Sequence, residues 1–582
     1  MADALPPAVP RRRRLWPWLL GAVVIIAAWG AYSGWSLLRA AHRLQAGVAA
    51  TDTVRGEVST EDLANNRPAP DLARAHQDFQ SAHRLIDSAW LQPLRLLPFF
   101  GRQVRSASSL SGAAEAVTAA GQDALSQAHG LLGAPRQTPA QRSVVIHQLS
   151  GTVSTLDTRL SRVSLGPNSG LLSVLRTKRA TFADDLAKLR AGLDKAVGAT
   201  TALTDFLDGP RTYLVLAANN AEMRDGSGMF LEVGTVTTDN GKLTLGPFTS
   251  SGDLILPQPL VPATGDLGAR WGFEHPNQEW RNLGLSPQFD ANAALAAAMW
   301  QASRGQHVDG VLALDVQALR DLLTVTGPIT VNGTTVGADG VQQLLLKDQY
   351  VGLSADAPAN GARHEQLGQL ASATFDAIQA PGTSLPQLAT QVTAAVGGRH
   401  LLVWAADPKV QAAWEAAGAA GQLGAHDLLL GIDNQGANKL DPYLQVKSHL
   451  TLTPAAGDTT ARVEVTITNA TPPGLSPYAA GVNYPPPGTY VGTVALDFPK
   501  SAGQAQVTGS HQVVAAGSDY GADVLAVGEK VLPGQSVTLT FQFVLAGVHG
   551  QLRIAPSARL PATSWDAPGT SFTDDFARTV QW

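Results

Sequence analysis

The chain has 582 residues, 44% hydrophobic and 15% charged, with a formal net charge of -5. At roughly 100–200 residues per domain, this length corresponds to about three or four folded units. The near-neutral charge balance gives no electrostatic footing for nucleic acid, which is excluded as a partner. The sequence has no cysteine, which rules out disulfides, thiolate catalysis and cysteine metal sites. Alanine and glycine, rather than charge, fill the composition, so the signature is not that of a disordered chain.

Residues 15–38 carry no charged side chain. At a rise of about 1.5 Å per residue, such a run is long enough for a hydrocarbon core of about 30 Å. Trp16, Trp18, Trp29 and Trp35 supply indole rings of the kind favoured at membrane interfaces. Arg11, Arg12, Arg13 and Arg14 precede the run, and Arg39 and Arg43 follow it. This bias predicts a cytoplasmic N-terminus. The apolar run exceeds a signal-peptide core of about 7–15 residues. The expectation is therefore an uncleaved single-pass anchor with residues 1–14 in the cytoplasm, the lipid bilayer as partner through 15–38, and everything later extracytoplasmic.

Residues 39–205 read as helices forming a bundle or stalk. Ser59-Thr60-Glu61-Asp62 has the character of a helix N-terminus. Leu97-Pro98-Phe99-Phe100-Gly101 reads as an apolar turn, and further helices are expected over 104–132, 139–165 and 171–205. From residue 206 the pattern changes. Residues 213–217 are a short apolar run of the buried-strand type. Strands are expected at 229–236 and 242–245 around Asp239-Asn240-Gly241, and at 310–314 and 401–404. Helices are expected over 291–303, 316–323, 364–378 and 409–417. Asn332-Gly333 between 329–331 and 334–336 is the strongest short hairpin signal in the chain. This alternation predicts a three-layer α/β domain over 206–440. Beyond it, residues 462–468 and 536–543 alternate with period two, which predicts an immunoglobulin-like β-sandwich over 441–582. The expected fold is thus multidomain α+β, with an N-terminal transmembrane helix, a helical stalk, an α/β domain and a C-terminal sandwich.

No Walker loop, dinucleotide fingerprint, H-E-x-x-H zinc motif or G-x-S-x-G elbow is present. The thirteen histidines are scattered. The one dense polar cluster is Asn219-Asn220-Ala221-Glu222-Met223-Arg224-Asp225-Gly226-Ser227-Gly228, placed between two expected strands. Ligands of open α/β sheets bind outside the carboxyl ends of strands. Arg224 could hold a phosphate in bidentate fashion, and Asp225 or Glu222 could hold Mg²⁺. Gly228 would let backbone N–H groups approach an anion. Equally open is a structural reading, in which the asparagines satisfy local backbone and Glu222 pairs with Arg224.

Residues 213–241 resemble the signature of a bacterial domain-of-unknown-function family, number 4012. Its hallmark is an apolar strand followed by N-N-x-E-x-R-x-x-G-G, with Ser227 here replacing the first glycine of the pair. The resemblance extends to Leu97-Pro98-Phe99-Phe100-Gly101, to residues 308–315 and 326–331, and to Asn438-Lys439-Leu440-Asp441. The order of elements resembles, more distantly, the LytR-CpsA-Psr family of membrane-anchored transferases. These move glycopolymers from a polyprenyl-pyrophosphate carrier with a divalent metal. That resemblance implies Arg224, Asp225 and Glu222 as catalytic groups. It implies Asn219, Asn220, Gly228, Arg281 and Arg363 as substrate-binding groups, and Asp225 with Asp253 as ligands of Mg²⁺. Two arginines of that family's pattern are missing, at residues 249–253 and 363–366. Asp290 reads as the N-cap of the helix at 291–303.

Two functions follow. The first is action on a lipid-linked (polyprenyl-phosphate) glycopolymer in cell-envelope assembly. The second is a non-catalytic scaffold that binds an envelope polysaccharide or an assembly protein. Signalling through a tail as short as residues 1–14 is the weakest of the readings.

Overall fold

A computed structural model describes residues 16–55, 60–133, 138–355, 362–503, 505–509 and 511–582; at 16–26, 53–55, 60 and 362–367 only the backbone is described. The expected tail at 1–14, Leu15 and Ser59 lie outside the described residues. The fold is multidomain α+β and divides into two compact units. One comprises residues 1–130 and 152–193, the other residues 131–151 and 194–582.

The first unit is helical. Its first helix runs Trp16–Arg55, well past the expected end at Leu38. Among the described residues, no helix is long and apolar enough to cross a membrane. This overturns the expected transmembrane helix at 15–38, and with it the single-pass placement built on it. The packing supplies the physical reason. Ser33, Ser36, Ala40 and Ala50 are buried along one face, at helical spacing. Ala40 meets Ile86 and Val104, and Ala50 meets Ala75, Phe79 and Ala114. A Cβ at Gly47 would lie 2.7 Å from the Phe79 ring, so a small residue is needed there. Trp29 donates its indole N–H to the Trp90 carbonyl at 2.8 Å. One face of this helix is thus committed to protein, and Arg39 and Arg43 stand in the same helix.

Ala69–Ile86 and a 3-10 turn, Ala89–Leu96, lead into a long helix, Pro98–Leu132. The Leu97–Gly101 segment is therefore the first turn of a helix rather than a loop: Gly101 N–H donates to the Leu97 carbonyl at 2.7 Å. Helices Pro139–Ser161 and Ser173–Asp208 follow, contributing residues 152–161 and 173–193 to this unit.

In the second unit a six-stranded mixed sheet runs, from its edge, Lys242–Leu245, Ser227–Asp239, Arg211–Arg224, Gly310–Leu314 and Leu401–Ala405, with Thr249–Ser250 added beside Ser227–Asp239. Arg211–Arg224 pairs antiparallel with Ser227–Asp239 and parallel with Gly310–Leu314. The Ile329–Val331 and Thr334–Val336 hairpin forms as expected, with Asn332 and Gly333 at φ 52° and 78°, the left-handed values a type I′ turn requires.

Two further six-stranded sheets face each other as a sandwich. One contains Leu444–Ala455, Asp458–Asn469 and Ser536–Leu545. The other contains Asp427–Asn434, Tyr490–Pro499 and Ala522–Val531. Val463, Val465, Ile467, Phe541 and Phe543 point inward, while Arg462, Gln542 and Val544 alternate outward, as strand geometry dictates. A second core spans the mixed sheet and the sandwich: Leu214, Leu216 and Phe230 share one cluster with Ala495, Val524 and Ala526.

Phe541 is fully buried and Val544 is 45% exposed on the same strand. Phe541→Ala is expected to cost about 3–5 kcal/mol from the cavity it leaves. Val544→Ala should stay within about 0.5 kcal/mol. Urea unfolding monitored by circular dichroism reads both.

Candidate functional site

The polar cluster at 219–228 is not a loop. Arg211–Arg224 and Ser227–Asp239 form one long hairpin that carries it, and Arg224 pairs directly with Ser227 across the turn. The pairing register slips between Asn219 and Met223, so this stretch turns its side chains away from ordinary ladder alternation. A Cβ at Gly228 would meet the Asn219 carbonyl carbon at 2.6 Å. Glycine is needed there because two backbones approach closely, not to cradle an anion.

Every functional group of the expected signature has a partner inside the protein. Asn219 donates to the Tyr350 hydroxyl at 2.9 Å, and its carbonyl accepts Ala221 N–H. Asn220 is fully buried and donates to Asp315 Oδ2 at 2.8 Å and to the Ala558 carbonyl at 2.9 Å. Glu222 forms a buried ion pair with Lys439. The Lys439 ammonium lies 5.6 Å and 5.8 Å from the ring centres of Tyr350 and Tyr478, which stack on one another. Met223 N–H donates to Asp441 Oδ2, and Asp441 Oδ1 takes the Arg559 guanidinium at 3.0 Å. Arg224 donates to the carbonyls of Met223, Asn434 and Arg281, and to Asn282 Oδ1. The structural pair expected between Glu222 and Arg224 is therefore replaced by Glu222–Lys439.

Asp225 differs from its neighbours. Its N–H donates to Asp433 Oδ1 at 2.9 Å, but neither carboxylate oxygen has a hydrogen-bond partner. The carboxylate fills the space above Gly431, where any Cβ would collide with it. Asp497 is likewise fully buried with both oxygens unpartnered. Burial, then Asp433, Asp497 and Asp519, holds the Asp225 carboxyl well above the usual carboxylate range. Burial pushes Asp433 up to about 8 and Asp519 up to about 6, and raises Asp497 well above its ordinary value. A carboxyl group desolvated in this way is stable as the neutral acid.

Arg281 is the fourth segment at the hairpin tip, but its guanidinium is held by Glu279 at 2.5 Å and 2.8 Å; only its carbonyl meets Arg224. Arg363 lies on the helix Ala362–Gln379, and its side chain is outside the described residues. Asp253 is exposed on a 3-10 turn, Ser251–Leu254, whereas Asp225 is 1% exposed. Among the described residues no group of three or more His, Asp or Glu side chains is arranged to hold a metal ion. Asp290 is not the expected N-cap: it stands in the first turn of the helix Phe289–Arg304, two residues past the cap at Gln288.

The partners of the cluster were not singled out as site residues in the sequence. Lys439, Asp433, Asp441 and Arg559 lie more than two hundred residues away. Only Asn438-Lys439-Leu440-Asp441 was visible as a family segment. A second buried constellation was also missed: His400 Nδ1 lies 2.7 Å from Asp315 Oδ2, and Nε2 lies 2.9 Å from Asp575 Oδ2. Burial would lower the imidazole, but Asp315 and Asp575 outweigh it and raise His400 to about 10.

Residues 208–350 match the model of the family described as Protein of unknown function (DUF4012). The match supports the DUF4012 family. It covers the mixed sheet's hairpin and the helix–strand unit that follows. No curated protein matches, and no solved structure matches. In this DUF4012 region the N-N-x-E-x-R residues form an internal clasp, joining the hairpin tip to residues 434–441 and 558–559.

Glu222→Gln leaves the Lys439 ammonium buried without its carboxylate and is expected to cost about 3–5 kcal/mol. Glu222→Leu combined with Lys439→Met should cost less, because no charge is stranded. Equilibrium unfolding in urea compares the two.

The raised aspartates also fix the sign of a pH effect. Their folded-state values lie above the unfolded value of about 3.9, so the stability they contribute is complete below that pH and is lost as pH rises through the folded values. The melting temperature should therefore fall between about pH 4 and pH 8, the window set by Asp519 and Asp433. Asp433→Asn, which keeps an acceptor for Asp225 N–H, should flatten that fall. A melting curve as steep in the variant as in the wild type would remove Asp433 from the account.

Proposed function

We propose that this protein is a non-catalytic scaffold that binds polysaccharide. The observation that carries the proposal is the saturation of the signature residues. Arg224 spends its donors on four acceptors within the protein, and Glu222 is neutralised by Lys439. A transferase of the LytR-CpsA-Psr type would need such groups open to a pyrophosphate and a metal. The buried clasp counts against that finer reading.

Open chemistry suited to a hydroxyl-rich ligand lies instead on the outer face of the sandwich. A groove of about 510 Å³ is lined by His449, Glu464, Ser564, Trp565, Asp566 and Phe572, among others. His449 Nδ1 pairs with Asp566 Oδ2 at 2.9 Å, and Ser571 donates to Asp566 Oδ1 at 2.8 Å. These contacts hold the Asp566 carboxylate below its ordinary range, so it stays charged and accepting at neutral pH. Charge-assisted acceptors beside the half-buried Phe572 ring match alternating hydroxyl and C–H surfaces of a sugar chain.

Affinity electrophoresis of the full chain in gels containing acidic or neutral bacterial polysaccharides tests this. Retardation is expected for the wild type and about tenfold weaker binding for His449→Ala with Asp566→Asn, a loss of roughly 1.4 kcal/mol. Equal retardation of both proteins, or none for either, would defeat the proposal. So would turnover of a polyprenyl-pyrophosphate-linked glycan by the wild type.

A further inference from the structure

The helical unit displays an apolar face that its own packing leaves open. On the first helix, Tyr32, Trp35 and Leu38 are 46%, 50% and 65% exposed. On the segment that follows Ala69–Ile86, Trp90, Leu96, Phe99 and Phe100 are exposed, Leu96 to 85%. Trp90 joins the two groups. The Tyr32 ring lies 5.7 Å from that of Trp90 and 5.8 Å from that of Trp35, and Trp29 is tied to the Trp90 carbonyl. Gly101 lets the chain fold tightly here, since any Cβ would collide with the Arg95 carbonyl, and the Phe99 and Phe100 rings lie 5.5 Å apart. An exposed apolar surface built from large aromatic side chains marks an interaction site.

The charge pattern selects the partner. Residues 27–51 and 88–114, which carry this face, contain no Asp or Glu, but they contain Arg39, Arg43, Arg95, Arg102 and Arg105. Arg39 stacks on Trp35 at 5.1 Å, and Arg43 is paired with Asp78 and Arg95 with Asp87; Arg102 and Arg105 are exposed. A second copy of the chain would set arginine against arginine across such a face. An anionic lipid surface offers phosphates to the arginines and acyl chains to the leucine and phenylalanine side chains, with tryptophan and tyrosine at the boundary between them. We propose that this face docks on the headgroup–acyl boundary of an anionic bilayer without crossing it. The inference is independent of the polysaccharide reading, since it uses a different unit of the chain.

Flotation of the full chain with phosphatidylcholine vesicles, with and without phosphatidylglycerol, tests the proposal. The wild type should float with the anionic vesicles. Leu96→Glu with Phe100→Glu, at exposed positions that leave the melting temperature unchanged, should weaken binding by about tenfold or more. Arg102→Glu with Arg105→Glu should remove the preference for anionic lipid. Flotation unaffected by Leu96→Glu with Phe100→Glu overturns the inference, as does no flotation of the wild type. A vesicle-free dimer that the same double variant dissolves would also overturn it and assign the face to a second copy.

Discussion

Removing charge from water at the tip of one hairpin constrains the whole second unit. Glu222, Arg224, Lys439, Asp441 and Arg559 are all buried. Desolvation of each is offset in large part by partners that come from remote parts of the chain. Glu222 needs Lys439, Met223 N–H needs Asp441, and Asn220 needs both Asp315 and the Ala558 carbonyl. The mixed sheet and the sandwich cannot settle independently, because each would strand the other's charges. The shared apolar cluster of Leu216, Phe230, Ala495 and Val524 supplies the driving force, and the polar clasp selects one arrangement within it.

Buried carboxylates in this protein fall into two kinds, distinguished by their partners. Asp315 and Asp441 are surrounded by donors: Asp315 caps the helix Val316–Thr326 and also meets Asn220 and His400, and Asp441 meets Arg559, Asn434 and Met223 N–H. Asp225 and Asp497 are buried with no hydrogen-bond partner for either carboxylate oxygen and have other acids for company. The nearby guanidinium of Arg399 gives its donors to the carbonyls of Gly421 and Pro287 rather than to these acids. The first kind holds segments together through the donors it accepts from. The second is tolerated as neutral acid, and its behaviour is tied to proton activity.

Local signals were legible wherever one segment settles its own geometry. Asn332-Gly333, the strand Gly310–Leu314 and the period-two runs at 462–468 and 536–543 depend on side chains a few residues apart. Signals that depend on what lies opposite were misread or left open. The Asn-Asn-x-Glu-x-Arg run left a ligand site and a structural role equally open, because its buried partners at 434–441 and 558–559 are not legible from the run itself. The apolar run at 15–38 looked like a membrane span. Apolar length alone does not distinguish lipid from a neighbouring helix, and Ser33, Ser36 and Ala40 face protein.

Composition and periodicity alone thus settled the broad α+β plan, the absence of thiol chemistry, the sandwich alternation and the turn at Asn332-Gly333, all consequences of short-range sterics and of which faces are apolar. Tertiary structure alone decided that Arg224 points at carbonyls, that Glu222 belongs to Lys439, and that Asp225 sits without a hydrogen-bonding partner over Gly431. Those outcomes turn on contacts between residues more than two hundred positions apart. The energy of a buried charge is set by what surrounds it in space, and its neighbours in sequence do not specify that.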